Sequence, residues 1–376
     1  MKVCIDTSAL ALSGAGVRRV LAETAQAMSA EATDDGIDVS FFPFSPRSYS
    51  GGGHRSGMGP VREIVRPGIE KSLDAWTRLR YPGVDRLLGG ADLYQISEFL
   101  PYPVRHVRQI AVVHDLVAVR HPEWCAPSSI SWQRRRIEYI AEHALHVICP
   151  SEPVKESWLA FSGWREQRAT VVPWGVDGSF RERGVGEIEH VRDRLRIRKP
   201  YVLHVGTIEP RKNLAFVLHA FERATKHFSR EMDLVFAGPK GWRTGQLEQA
   251  LQFTNIRDRV RLLGAVAEEY LPALMSGASC VVLASREEGF GLPALEALAC
   301  GTPVVTTQAM ALPQALRPFC VRIGGVDEEE LADIMVEIVD DEDAAQQART
   351  EAAPLARART WSHVAADMRK VYLQFR

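Results

Sequence analysis

The sequence predicts an α/β protein made of two doubly wound domains, and three observations carry that reading. The chain has 376 residues, beyond the ~250–300 at which a single hydrophobic core stops growing. Short apolar runs, each followed by a stretch of helical periodicity, recur along its length, the pattern of parallel sheets covered by helices on both faces. A charge-dense, glycine-containing stretch, RERGVGEIEHVRDRLRIRKP (181–200), separates those runs into two series and suits a surface linker ending in a short helix. Hydrophobic residues at 46% and charged ones at 25% are ordinary for a globular chain and exclude a disordered or fibrous one.

The strands expected in the first series are KVCID (2–6), DVSFF (38–42), DLYQI (92–96), QIAVVH (109–114), HVICP (146–150) and TVVPW (170–174). In the second they are YVLHVG (201–206), DLVFAG (233–238), RVRLLG (259–264), CVVLAS (280–285), TPVVTT (302–307) and CVRI (320–323). SPRSYSGGGHRSGMGP (45–60) reads as a loop of the first domain. EEELADIMVEIVD (328–340) and HVAADMRKVYLQF (363–375) read as helices, and Val364, Met368, Val371 and Tyr372 fall on one face of the second. The division is therefore 1–180, 181–362, and a closing helix over 363–376.

Charge and cysteine usage exclude several function classes. The totals of 46 basic and 47 acidic residues give a net charge of -1, and residues 1–180 hold 20 of each sign, so neither half offers the basic platform of a nucleic-acid binder. The six cysteines are scattered through apolar runs with no C-x-x-C, which reads as buried reduced thiols rather than disulfides or zinc ligands. The opening MKVCIDTSAL lacks the charged and apolar regions of a secretory signal, and no apolar run reaches membrane-spanning length. A cytoplasmic protein is expected. Arg134 to Arg136, in ISWQRRRIEYI, read most simply as a solvated helix face, with a peripheral lipid-phosphate contact as the alternative.

The strongest chemical signal is SREEGFGLPALEALACG (285–301), which follows the strand CVVLAS. Pro293 suits a first helical turn, so the helix should begin near Leu292 and the Glu288-Gly-Phe-Gly loop should lie at the carboxyl end of the sheet, where open α/β sheets bind ligands. Gly289 and Gly291 let the amides of Phe290, Gly291 and Leu292 turn outward, and a helix N-terminus adds positive potential for a phosphate. Glu296 lies eight residues beyond Glu288, inside the helix, so the two carboxylates should meet different parts of an elongated ligand. The second signal is HVGTIEPRKNL (204–214). There Gly206 ends a strand, and Arg211 and Lys212, expected at an exposed edge before a helix that Asn213 caps, suit a diphosphate. Weaker signals are the Gly14-x-Gly16 turn after the first strand, short of a dinucleotide fingerprint, and the His114-Asp115 pair leaving AVVHDL, followed by HPEW.

Together these residues resemble the large retaining glycosyltransferase family four, which has the GT-B fold of two Rossmann-like domains facing across a cleft. GTIEPRKNL, FAGPKGW, the Glu288-to-Glu296 element and ACGTPVV stand in the family's order, and ADLYQIS, VVHDLVAVRHPEW, PSEPVKESW and VVPWGVD are similar to its bacterial mannosyltransferases of surface-polysaccharide assembly. The chain departs from the family where Val17-Arg18-Arg19, rather than an aromatic, follow Gly16. The resemblance implies that Arg211 and Lys212 hold the donor diphosphate, Glu296 the ribose and Glu288 the sugar hydroxyls. It places the amides of Phe290, Gly291 and Leu292 on phosphate and sugar, His114 and the glycine turns, Gly14, Gly16 and Gly206, along the donor, and the last helix across the first domain. The implied reaction moves a hexose, mannose from GDP-mannose, to a glycan or polyprenyl-linked glycan, with retention, no metal and no other cofactor. A sugar-nucleotide epimerase and a non-catalytic sugar-nucleotide-binding protein remain the alternatives on the same architecture.

Overall fold

The computed structural model describes residues 1–11, 15–30, 35–42, 83–96 and 103–376. Gly14 and the 45–60 loop lie outside the described residues. The chain divides into two compact units, one formed by Met1–Arg120, Pro127–Gly175 and Trp361–Arg376, the other by His121–Ala126 and Val176–Thr360.

The first unit is built on a six-stranded parallel sheet in the order β2-β1-β3-β4-β5-β6. Its strands are β1 (Lys2–Asp6), β2 (Asp38–Phe42), β3 (Leu93–Ile96), β4 (Arg108–Val112), β5 (His146–Cys149) and β6 (Ala169–Val171). Each interior strand is buried on both faces, which is why the runs are continuously apolar rather than alternating. TVVPW yields only a short strand because Pro173 has no N–H to give a ladder. On the helix Pro127–His143 the reading of Arg134 to Arg136 as one solvated face is corrected. Successive helical residues are turned by ~100°, so three in a row cannot share a face. Arg134 is exposed, whereas Arg136 is buried and its Nη2 donates to Val112 O at 2.7 Å. The closing helix, Trp361–Leu373, belongs to this unit. Val364, Met368, Val371 and Tyr372 are all buried on it, Tyr372 Oη donates to Gln95 Oε1 at 2.7 Å, and Arg369 pairs with Asp35 at 2.9 Å.

The second unit carries a parallel sheet in the order β12-β11-β10-β7-β8-β9. Its strands are β7 (Tyr201–Val205), β8 (Asp233–Ala237), β9 (Val260–Gly264), β10 (Cys280–Leu283), β11 (Val304–Thr306) and β12 (Cys320–Arg322). One face is covered by the helix Leu214–Ala224, whose Phe216, Val217, Leu218 and Phe221 are buried against Leu331, Met335 and Ile338 of the helix Glu328–Asp340. Full burial of side chains of this size contributes about 1.5–3 kcal/mol each. The second of these helices starts where Asp327 accepts from the Glu329 and Glu330 amides.

The stretch 181–200, expected as a surface linker ending in a short helix, does hold that helix, mostly exposed, but it packs on the second unit. Residues Val185–Arg194 form a helix of the second unit, with Val191 and, just beyond it, Ile197 buried. The charges face outward while Ile188 and Val191, one turn apart, face in. A Cβ on Gly277 would lie 2.6 Å from Ile188 Cγ2, so the helix rests on bare backbone there. The chain enters and leaves this unit side by side, since Val176 bridges Thr360 and its amide donates to Arg359 O at 3.0 Å. All six cysteines are buried free thiols, as the sequence indicates. Among the described residues no helix is long and apolar enough to cross a membrane.

Candidate functional site

In the second sheet β7 lies between β8 and β10, so the connections run one way from β7 to β8 and the other way to β10. That reversal opens a crevice at the carboxyl ends of β7 and β10, where doubly wound sheets take their ligands. The two motifs leave those two strands. After β7, the backbone of Gly206 (φ 151°) passes Gly238 so closely that a Cβ on Gly238 would stand 1.9 Å from Gly206 O. After β10, Gly291 (φ 86°) turns the chain into the helix Leu292–Ala299 with Pro293 in its first turn. The Arg286 amide donates to Arg211 O at 2.8 Å and joins the two loops.

Arg211, Lys212 and Glu288 meet there. Lys212 Nζ donates to Glu288 Oε1 at 2.5 Å, Ser285 Oγ to the same oxygen at 2.6 Å, and Arg211 Nη1 to Glu288 Oε2 at 3.0 Å. Arg211 also reaches Glu287 O at 3.0 Å and Glu209 Oε1 at 2.6 Å. The expectation of an exposed basic pair is therefore corrected: the Lys212 side chain is 8% exposed and that of Arg211 19%. Burial is sustained because each cation has a carboxylate within hydrogen-bonding reach. Asn213 does not cap the following helix through its side chain. Its backbone is left-handed (φ 56°), and its Oδ1 accepts from Arg286 Nη2 at 3.3 Å instead.

The electrostatics follow from this packing. Burial alone would raise the Glu288 carboxyl, but the Lys212 and Arg211 charges and the hydrogen bonds from Lys212 and Ser285 outweigh it and hold Glu288 well below the ordinary carboxylate range. His204, on β7, is fully buried; its Nδ1 stands 3.0 Å from Val282 O, and desolvation, then the Lys212 charge, push it down to about 4. Phe290, before the helix Leu292–Ala299, and Glu296, within it, are buried at 5% and 3% exposure, and Leu292 opens the helix, where an amide has no intrahelical acceptor.

The first unit holds the remaining sequence-derived candidates. His114 follows β4, half-buried, with its ring 5.4 Å from that of Trp174. Desolvation, then the Arg136 charge, push it down to about 3 against the pull of Asp115, so the ring is neutral at physiological pH. It borders a cavity of about 20 Å³ with Val17, Thr24, Gln95, Trp174 and Met368. Gly16 opens the helix Ala15–Ala30, and a Cβ there would meet nothing within 4 Å, so strand–helix packing among the described residues does not account for it.

Comparison with known proteins places this architecture. The family "Glycosyltransferase Family 4" matches residues 14–180 and "Glycosyl transferases group 1" matches 187–354. D-inositol 3-phosphate glycosyltransferase of Corynebacterium diphtheriae is 30% identical over 293 residues, 74% of this chain and 69% of that protein. The chain belongs to glycosyltransferase family four. O-antigen chain mannosyltransferase B of Escherichia coli is 26% identical to this family-four member over 215 residues, 57% of this chain. The matched chain spans 56% of that relative's length. In fold, the family-four chain is similar to Anabaena HepE, solved with UDP and glucose, at a TM-score of 0.72 with 16% identity and full coverage of both chains.

Three partners in this family-four site escape a reading of the sequence. Glu209 and Ser285 stand two and three residues from the named Arg211 and Glu288, inside the same motifs, one as a counter-charge and the other as a hydroxyl donor. The third is the hexapeptide His121–Ala126, which contributes to the second unit although it precedes β5. Trp242 Nε1, in FAGPKGW, donates to Trp124 O at 2.7 Å, and Arg243 donates to Glu123 O. His121 stacks on Trp124 with ring centroids 3.9 Å apart, and its Nε2 lies 3.6 Å from Glu287 Oε2. HPEW and GPKGW thus meet beside the Glu288 loop. The chain contains one Asp-x-Asp, Asp341-Glu342-Asp343, in which Asp341 caps the helix Glu342–Gln347 by accepting from the Ala344 amide at 2.8 Å. Among the described residues no group of three potential ligands could hold a metal.

Proposed function

We propose that this chain is a retaining hexosyltransferase that moves mannose from GDP-mannose to a glycan or lipid-linked glycan acceptor in polysaccharide assembly. The observation that carries the reading is the Arg211–Lys212–Glu288 cluster at the strand-order reversal, beside a helix N-terminus. It offers cations for a diphosphate and a carboxylate for sugar hydroxyls within one hydrogen-bonded group. The mannose assignment rests on the named mannosyltransferase among the relatives. Glu296 is assigned to the ribose and the Phe290, Gly291 and Leu292 amides to phosphate. His114, neutral, is assigned to the sugar as a hydrogen-bonding group rather than a cation.

In this mechanism the bond between the anomeric carbon and the diphosphate oxygen breaks as an acceptor hydroxyl enters on the same face. The hydroxyl proton passes to the departing phosphate oxygen, so configuration is retained and no protein nucleophile is needed. Arg211 and Lys212 stabilise the charge that develops on the leaving group. These cations serve in place of a divalent ion.

Proton NMR of the product, with and without EDTA, tests the mechanism. The α-linkage of the donor should persist and EDTA should leave the rate unchanged. An inverted linkage, or activity lost to EDTA and restored by a divalent cation, overturns it. Donor identity is read by melting in the presence of GDP-, UDP- and ADP-sugars, since a ligand bound only to the native state raises stability. Protection by UDP-sugars with GDP-mannose inert refutes the mannose donor, and conversion of the sugar without release of nucleoside diphosphate identifies an epimerase.

A further inference from the structure

His204 is buried at the heart of the second unit, and the mechanism above does not use it. Its Nδ1 faces a carbonyl, Val282 O, at 3.0 Å, which fixes the proton on Nδ1 and leaves Nε2 with an open lone pair. Among the described residues nothing hydrogen-bonds that nitrogen, although the side chain is 0% exposed. A buried acceptor left unmet is destabilising, so an aromatic or aliphatic residue would pack there more favourably unless the lone pair has a use.

The lone pair borders the space over Gly206. A Cβ placed on Gly206 would stand 3.4 Å from His204 Nε2, 3.4 Å from Lys212 Cε and 3.8 Å from Lys212 Nζ. The acceptor nitrogen and the ammonium therefore flank one small gap that only glycine leaves open. In the structure the ammonium is turned to Glu288 at 2.5 Å, and Glu288 Oε1 is shared with Ser285. A carboxylate so engaged has little capacity for sugar hydroxyls, and an ammonium so engaged has little for phosphate. Donor binding has to loosen the pair. An ammonium carries three N–H donors, and a phosphate oxygen does not satisfy them all.

We propose that His204 is a positioning residue whose Nε2 accepts one ammonium proton of Lys212 when the Lys212–Glu288 pair opens for the donor diphosphate. The lone pair thereby aims Lys212 at phosphate and frees Glu288 for the sugar. The neutral ring this requires is the one the burial and the adjacent cation already favour. The inference rests on the donor reading of the cluster given above.

The test uses the full chain with GDP-mannose and GDP. His204→Phe keeps volume and removes the lone pair; His204→Gln returns an acceptor near the Nε2 position. His204→Phe, shown folded by circular dichroism, should raise KM for GDP-mannose about tenfold, the scale of one lost hydrogen bond to a charged group, with kcat little changed. His204→Gln should recover most of that loss. In the wild type, the His204 Nε2 resonance in long-range proton–nitrogen NMR should move on saturation with GDP, which a merely structural histidine would not do. An unchanged KM in folded His204→Phe, equal losses in both variants, or an Nε2 resonance indifferent to GDP overturns the role of His204 while leaving the donor reading intact. Failure of the wild type to bind GDP or GDP-mannose overturns the donor reading and this role with it.

Discussion

Replacing Lys212 by methionine should destabilise the second unit measurably even without any ligand, although the residue was expected at an exposed edge. The Lys212 and Glu288 side chains are 8% and 12% exposed and joined at 2.5 Å. Removing one partner of a fully buried ion pair costs about 3–5 kcal/mol because the other charge is left uncompensated. Glu288 here keeps Arg211 at 3.0 Å and Ser285 at 2.6 Å, so the loss should be smaller, about 2–3 kcal/mol, the upper range for hydrogen bonds to charged groups. In a Glu288→Gln background the same substitution removes no ionic partner and should cost under about 1 kcal/mol, leaving a coupling of about 2 kcal/mol between the two sites. Native-state hydrogen exchange of the β7 amides reads this local free energy without assuming that the two units unfold together. Equal costs for Lys212→Met in both backgrounds, or a cost below about 0.5 kcal/mol in the wild type, would refute the buried-pair reasoning.

The acid limb of stability should report Glu288. Its folded-state carboxyl lies below the ordinary 4.5, so its contribution is present above that pH and is lost as pH falls beneath it; Glu288→Gln should flatten this limb, and an unaltered slope in urea titrations would contradict the assignment. His204, lowered from 6.5 to about 4, acts with the same sign in a higher window, because the unfolded chain binds its proton first as pH falls from 6.5 towards 4; His204→Gln should reduce the pH dependence there, measured as the midpoint of melting across that range. Gly238→Ala should cost more than about 3 kcal/mol, since its Cβ would stand 1.9 Å from Gly206 O on backbone that cannot retreat, and soluble expression at wild-type stability would show that the β7 and β8 ends are not so tightly apposed.

The sheets were legible in the sequence because strands buried on both faces are continuous apolar runs. KVCID and DVSFF match β1 and β2 residue for residue. EEELADIMVEIVD matches its helix throughout, since Asp327 marks the start with a side-chain cap. The strand order was not legible, and with it the reversal that sets the β7 and β10 loops side by side. Motif position singled out Arg211, Lys212 and Glu288, which do meet, but not their depth: an R-K pair before a helix looks like surface until the carboxylates that bury it are located. Arg136 misled because three arginines in a row suggest one face, which helical rotation forbids. His204 gave no signal at all, because a histidine inside YVLHVG is indistinguishable in sequence from any polar residue tolerated in a strand.

The pairing of Val176 with Thr360 means that the contiguous part of the second unit, 176–360, begins and ends side by side. Joining those two ends by a short loop and opening the chain elsewhere, at the exposed turn near Phe253 for example, would rewire the connectivity without cutting a strand of the sheet. The same adjacency makes the unit transplantable: a gene segment coding for 176–360 could be exchanged between relatives with both junctions falling together. Such a graft would leave one piece behind, because His121–Ala126 is encoded upstream. A chimaera that swaps only the contiguous segment would therefore set a foreign Trp124 against a native Trp242, and recombination that preserves activity should carry the hexapeptide along.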